Sequence, residues 1–374
     1  MKPRGTITQR SGSFRIRVSL GRDPSGKRRR VTKTVPTKAE AKAELTRLLH
    51  SIDNGEHVSP SRMTVGEWLD TWTEATKAEV SPKTHERYAE IVRCYLKPTL
   101  GGIKLQRLAP VDIQRGYNNF ERSPSPRTRR HIHRILKSAL TRAVEQQSMA
   151  SNPAAAVKRL PKVERKPINA LTVEQSAELL KAIRHTTTYW PTLIALATGM
   201  RRGEILTLRW KNVDLEQPVV RVVESLEQTK AGLRFKPPKS GKGRAVPLPK
   251  FALSELREWK VRQAQALLEL GVRQSGETLV CAREDGEPKQ PNSLTHEFVY
   301  LLRRTRLPKV RFHDLRHTHA TQLLASGVHP KVVQERLGHS TISITMDLYS
   351  HMSETMQAEA TVRLDQAYGR TFED

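Results

Sequence analysis

Only two cysteines, Cys94 and Cys281, occur in 374 residues, and they lie far apart in sequence. That scarcity argues against a disulfide scaffold and against a cysteine-based zinc site. No apolar run approaches the ~20 residues needed to cross a bilayer, and the N-terminus MKPRGTITQR lacks the apolar core of a secretory signal. A cytoplasmic protein without a membrane partner is the expectation. A G-x-x-x-x-G-K-S/T nucleotide loop is also missing, so no ATP requirement is anticipated. Acidic residues are in short supply, 38 against 65 Lys+Arg, and none of them form a cluster of the kind magnesium prefers.

The resulting net charge of +27 points to a polyanionic partner. Residues 1–60 carry 14 Lys+Arg against 5 Asp+Glu, residues 61–167 carry 21 against 10, and residues 168–374 carry 30 against 23. A single basic tail would mark one docking arm, whereas excess charge on every segment suits a ligand tracked along its length. Double-stranded DNA fits that better than a small phosphate compound. The plainer alternative is a highly soluble surface with no nucleic-acid role. Length and a hydrophobic content of 37% allow two or three folded cores.

Two polar linkers, DNGEHVSPSRM and the Pro-interrupted KRLPKVERKPINA, divide the chain into segments 1–58, 63–160 and 168–374. In the first, Phe14, Ile16 and Val18 share one strand face while Arg15 and Arg17 share the other. GRDPSGK reads as a turn, RRRVTKTV as a further strand, and Thr37 as the start of a helix. A face or edge carrying Arg15, Arg17, Arg28, Arg29 and Arg30 suits a DNA groove, or equally an ordinary solvated surface. The second segment reads as four or five helices. Trp68, Leu69 and Trp72 share one helical face, and Ser81 with Pro82 opens a helix carrying Tyr88, Ile91, Val92 and Tyr95. These aromatics read as core, not as base-stacking platforms. Ser125 and Pro126 open the last helix, with Arg127, Arg129, Arg130 and Arg134 near its start. Cations there oppose the helix dipole, an arrangement more easily understood if phosphates lie opposite. The third segment is mostly helical, with one β region, PVVRVVES, RFKPP, the turn KSGKG and RAVPLP, that puts Lys239 at or near a hairpin tip.

The third segment also holds a distinctive chemical inventory. ATGMRRGE places Arg201 and Arg202 just before Glu204, HDLRH sets His313 and Arg316 one helical turn apart, and LGHSTISITMDLYSH puts His339 ten residues before Tyr349. Guanidinium groups match non-bridging phosphate oxygens bidentately and stay protonated. Two of them can do much of what a divalent ion does for a phosphoryl centre in displacement. The tyrosine oxygen is then the natural nucleophile, and the reaction should pass through a covalent phosphotyrosine.

These residues, in this order, resemble the tyrosine recombinase (phage integrase) family along the whole chain, with the strongest motifs between 198 and 351. The resemblance implies a catalytic set of Arg201, Lys239, His313, Arg316, His339 and Tyr349, with Glu204 as the supporting carboxylate. Arg201 and Arg316 would clamp the scissile phosphate, His339 would donate to a non-bridging oxygen, and Lys239 would protonate the leaving 5′ oxygen. Tyr349 would be left as a 3′-phosphotyrosine, an ester that stores the energy for rejoining, so no cofactor, metal or ATP is expected. His317 and His319 have no place in the motif and read as packing or hydrogen-bonding residues. The implied fold is multidomain and mainly α. It comprises an arm-type DNA-binding domain of a three-stranded sheet plus helix (1–58), a helical SAM-like core-binding domain (63–160), and a mostly α catalytic domain with a small β-sheet (168–374). The implied activity is site-specific integration, and excision, of a phage or mobile element in a bacterial host cytoplasm. The implied partners are double-stranded DNA attachment sites and three further copies of the chain on DNA, with a monomer when free. A host DNA-bending factor or a recombination directionality factor could join them. The tail SETMQAEATVRLDQAYG reads as an amphipathic helix that packs on a neighbouring protomer or on its own domain.

Three other readings compete. A metal-dependent nuclease would use His313, Asp314, His317, His319, His339 and His351 as ligands, but Arg316 on the same helical face would repel a cation. A type IB topoisomerase shares the chemistry but not the LGHSTISITMDLYSH spacing. A non-catalytic, sequence-specific DNA-binding regulator derived from a recombinase would not need every catalytic position filled.

Overall fold

The computed structural model describes residues 5–22, 26, 28–53, 58, 60–164, 169–239, 241–349, 361, 362, 364, 365 and 368. The chain divides into two compact units, Met1–Glu164 and Arg165–Asp374.

The first unit opens with an antiparallel sheet in the order β1 (Gly5–Arg10), β2 (Ser13–Arg22), β3 (Arg28–Val35). Ser11 and Gly12 both take positive φ, 38° and 78°, between β1 and β2. That backbone twist matches the twist of the flanking strands. Alternation along β2 buries Ile16 and Val18, which with Ala41 and Leu48 of α1 (Lys38–Asp53) form a small core. Arg15 and Arg17 occupy the other face, and the pairing of Ser19 with Arg30 brings Arg30 to the same side. The side chain of Arg28 lies outside the described residues. Thr37 starts α1 as expected, its Oγ1 accepting the Glu40 N–H at 3.2 Å.

A second core in this unit is made by helices. α2 (Val65–Ala75) begins with a capping box between Thr64 and Glu67. α3 (Pro82–Ile91) starts at Ser81 and continues through a widened turn into α4 (Lys97–Leu100). α5 (Pro110–Asn118) and α6 (Pro126–Glu145) follow, the latter capped by Ser125. Trp68, Leu69, Trp72, Ile91, Ile132 and Leu136 are buried together. Trp68 Nε1 donates to the Ala139 carbonyl at 2.9 Å, and Tyr88 stacks on Trp72 with centroids 5.3 Å apart. The aromatics therefore serve the core, where a buried ring needs a partner for its polar tip.

The second unit runs α7 (Val173–Ala182), α8 (Tyr189–Thr198), α9 (Arg202–Ile205), then β4 (Val213–Asp214) and β5 (Val219–Val222). β6 (Ser225–Thr229), β7 (Gly232–Lys236) and β8 (Arg244–Pro247) follow. α10 (Lys250–Glu269), α11 (Pro291–Arg303), α12 (Asp314–Ala325), α13 (Pro330–Leu337) and α14 (Ile342–Tyr349) complete it. α8 is buried at every position, as its apolar sequence on all sides requires. It ends at Gly199, whose φ is 65°. A Cβ there would sit 2.4 Å from Leu337 Cδ2 and 2.7 Å from His319 Cδ2, so both the conformation and the space demand glycine.

The β region differs from expectation in one respect. β6 pairs with β7, but β8 pairs with β5 in a separate sheet of order β4-β5-β8. Lys239 therefore stands in the turn by which the chain crosses from one sheet to another, and not at a hairpin tip. The reason is local: Pro237 and Pro238 follow β7 directly and supply no N–H for a ladder with β8.

Candidate active site

The end of α13 organises the site. Helix C-termini leave carbonyls without intrahelical partners and carry partial negative charge, and here three consecutive ones each receive a different arginine. The Arg336 carbonyl accepts from Arg244 Nε at 2.9 Å, the Leu337 carbonyl from Arg316 Nη2 at 2.7 Å, and the Gly338 carbonyl from Arg201 Nη2 at 3.0 Å. Gly338 closes the helix at φ 66°. Arg316, only 4% exposed, also donates through Nη1 to the Gly199 carbonyl at 2.7 Å. The two left-handed glycines at the ends of α8 and α13 thus aim backbone oxygens at the arginines.

Glu204 joins this array from α9. Its carboxylate accepts from the Arg201 backbone N–H and guanidinium, both at 2.9 Å, and from Arg244 at 2.6 and 3.2 Å. Burial alone would raise this carboxyl, but the bonds from Arg244 and Arg201 outweigh it and hold it below the usual carboxylate range. Arg316 feels burial first and Arg201 second, which push its guanidinium down to about 9, still protonated at neutral pH.

His339 follows α13 directly. Its Nδ1 lies 3.0 Å from Thr345 Oγ1, a buried hydroxyl on α14. Burial, then the charges of Arg316 and Arg201, hold the ring at about 3. It is therefore neutral, and when Nδ1 accepts from Thr345 the proton sits on Nε2, leaving a donor. His313 stands at the N-cap position of α12 without a side-chain capping bond and is exposed, with its ring perpendicular to His317 at 5.4 Å. Partial burial, then His317 and Arg316, push it down to about 4, so the ring is neutral at neutral pH.

Of the residues expected at the site, the fold brings Arg201, Glu204, Arg316 and His339 together, with His313 beside Arg316. Arg202 turns away, its Nη1 donating to the Pro291 carbonyl at 2.8 Å and to Thr295 Oγ1. Arg201 holds the extended backbone of the N-cap and Arg202 is the first residue of α9, so the two side chains leave the chain in different directions. His319 packs as expected, with Nδ1 donating to the Leu196 carbonyl at 2.7 Å and Nε2 accepting from Arg336 at 3.0 Å. Lys239 is exposed and makes no contact with the array among the described residues. Its rival Lys236 is paired with Glu227. Tyr349 ends α14, the helix that carries Thr345 to His339; its side chain, His351 and most of the tail lie outside the described residues. Among those residues no group of three or more His, Cys, Asp or Glu is placed to hold a metal ion.

Residues 169–356 match the model of the phage integrase family, and residues 64–120 match that of the phage integrase N-terminal SAM-like domain. The chain is 30% identical to a tyrosine recombinase XerC-like protein of Caldanaerobacter subterraneus subsp. tengcongensis, across 95% of this chain and 96% of that one. The chain belongs to the phage integrase family of tyrosine recombinases. This recombinase is also 26% identical to the ICEBs1 integrase of Bacillus subtilis over 95% of its own length and 97% of the relative's. Its fold is similar to that of the Tn1549 transposon integrase in complex with a circular intermediate DNA (TM-score 0.67, 21% identity, 79% and 99% covered). The lambda integrase tetramer bound to a Holliday junction is also similar (TM-score 0.59, 19% identity, 90% and 92% covered).

Two features of the recombinase escaped sequence reasoning. Arg244 belongs to the array, and a signal for it existed: Arg244, Val246 and Leu248 share one strand parity, and the last two are buried, so the arginine points inward too. In the first unit, Arg127, Arg130 and Arg134 line one cleft of about 590 Å³ with His131 and Arg87 of α3. Arg87 was not anticipated. Arg129 does not join that lining; its Nη2 donates to Ser123 Oγ at 3.4 Å, and its Nε is buried without a partner.

Proposed function

We propose that the recombinase cuts and rejoins DNA through a 3′-phosphotyrosine on Tyr349, without a metal ion or ATP. The observation that carries this reading is the pairing of Arg201 and Arg316 on adjacent carbonyls of α13 with the neutral His339 beside them. Two fixed cations and one neutral donor suit the two non-bridging oxygens on which charge grows as the phosphodiester becomes pentacoordinate. The Tyr349 hydroxyl gives its proton to His313 as its oxygen bonds to phosphorus. The bond to the 5′ oxygen breaks, and that oxygen takes a proton from Lys239. Rejoining reverses these steps with a different 5′-hydroxyl.

The three segments 1–58, 63–160 and 168–374 then serve as arm-binding, core-binding and catalytic domains. Arg15, Arg17 and Arg30 on one sheet face suit an outer DNA site, with Arg28 expected beside them. The cleft lined by Arg87, Arg127, Arg130 and Arg134 suits the backbone of the core site. Similarity to the ICEBs1 integrase, the integrase of Mycobacterium phage D29 and the Tn1549 transposon integrase supports a role in integrating and excising a mobile element. The tetrameric lambda complex supports four copies acting on DNA, with a bending or directionality factor as a further partner. The test is incubation with a nicked duplex bearing the mapped binding site, in EDTA. A covalent adduct should form on Tyr349, and Tyr349→Phe should bind DNA yet form none. Cleavage surviving that substitution, or lost in EDTA, would overturn the reading.

A further inference from the structure

We infer that Arg244 is a positioning residue for strand cleavage, acting through Glu204 on Arg201; the inference rests on the phosphotyrosine reading above. All three guanidinium nitrogens of Arg244 are bonded to the protein. Its Nε is spent on the Arg336 carbonyl and both Nη atoms on Glu204, and its side chain is only 10% exposed. Gly338 lies flat against it: a Cβ at that position would be 3.1 Å from Arg244 Cδ and 3.3 Å from Nε.

What Arg244 does control is the carboxylate. Each Glu204 oxygen is shared: Oε1 takes the Arg201 guanidinium and Arg244 Nη1, and Oε2 takes the Arg201 backbone N–H and Arg244 Nη2. This sharing has two effects. The bidentate fork of Arg244 fixes the plane of the carboxylate, and so the direction in which Arg201 presents its remaining N–H groups. It also changes the charge balance. One buried carboxylate facing Arg201 alone would neutralise it, whereas the same carboxylate divided between two guanidiniums leaves a net positive set beside Arg316. Arg244 thereby keeps the charge of Arg201 available to a phosphate that it does not itself touch.

The experiment measures single-turnover adduct formation by the full chain on a nicked duplex bearing its mapped site. The scissile group is either the normal phosphate or a methylphosphonate, in which one non-bridging oxygen is replaced by a neutral methyl. On phosphate, Arg244→Ala should slow adduct formation roughly 10- to 100-fold, the usual scale for residues that orient a functional ligand from behind, while DNA affinity is retained. On methylphosphonate the gap between variant and parent should shrink to about threefold or less, because less charge develops for Arg201 to meet. Arg244→Lys, which keeps the cation but not the fork, should fall between the two on phosphate. Equal losses on both substrates would mean a purely structural role and overturn the inference, as would parent-like rates on phosphate for either variant. Should Arg244→Ala fail to fold, the lysine variant on the two substrates decides by the same criteria. If the parent itself forms no adduct, the phosphotyrosine reading fails first, whatever Arg244 does.

Discussion

Arg316 and Arg134 are both expected to face phosphate, yet the two compact units treat these cations differently. In the second unit Arg316 is 4% exposed, and Nη1 and Nη2 each donate one bond, to the carbonyls of Gly199 and Leu337. In the first, Arg127, Arg130 and Arg134 stand exposed around an open cleft, held by little more than contacts to the Pro161 carbonyl and His131. Cations fixed before the ligand arrives need no reorganisation as charge develops, which is what accelerates a reaction. Solvated cations release counterions on contact, which is what gives salt-dependent affinity. One residue type thus serves chemistry in one unit and attachment in the other, and the difference lies in what holds it.

That contrast can be broken by experiment. The largest effect should come from Arg201→Ala, which is expected to cut single-turnover cleavage roughly 10²- to 10³-fold, the scale for removing one fixed donor from a transition state. Filter binding should show DNA affinity nearly unchanged; a parallel loss of affinity would place Arg201 with the attachment residues instead. Next is Gly199→Ala, which meets Leu337 and His319 and forces a left-handed backbone. Urea unfolding should record a loss of about 2–5 kcal/mol from strain and overpacking.

Acidification probes the same frame. Burial, then Arg336, pushes His319 from 6.5 down to about 4 in the folded chain. Above pH 6.5 both folded and unfolded forms are neutral and the full stability is present. Below it the unfolded chain binds a proton that the folded chain refuses, so stability falls until about pH 4. The slope is about 1.4 kcal/mol per pH unit for one such group. Urea midpoints measured across that window should decline, and His319→Gln should flatten the decline by about one proton's worth. The smallest effect belongs to the cleft. Arg127→Ala or Arg134→Ala should weaken binding evenly across DNA sequences and lower the salt slope by about one each, with adduct formation at saturating DNA unchanged.

Much of this was legible because it is local. Helix starts at Thr37, Ser81 and Ser125 follow from side chains that cap the N–H groups a few residues ahead. Arg201 with Glu204, and His313 with Arg316, sit within one turn of each other, so their proximity can be read from spacing alone. The partner of Arg244 lies 40 residues away, and only the inward parity of its strand hinted at a buried role. Strand exchange between two sheets misled the placement of Lys239, since pairing partners are set by tertiary contacts and not by the turn itself. Arg129 shows the same limit: nothing in its helical position distinguishes it from Arg127 or Arg130.

Because three guanidiniums rest on the oxygens of positions 336, 337 and 338, the element that seats them is largely invisible to side-chain mutagenesis. Leu337→Ala would retain the peptide group that receives Arg316, so a conventional scan would record a packing defect and miss the anchor. Replacing the peptide bond after Leu337 or Gly338 with an ester, whose carbonyl is a poorer acceptor, would probe that dependence directly. Substitutions at positions 336 and 337 leave these acceptors in place while the main chain keeps its path, whereas Gly338 is fixed by its left-handed backbone and its closeness to Arg244.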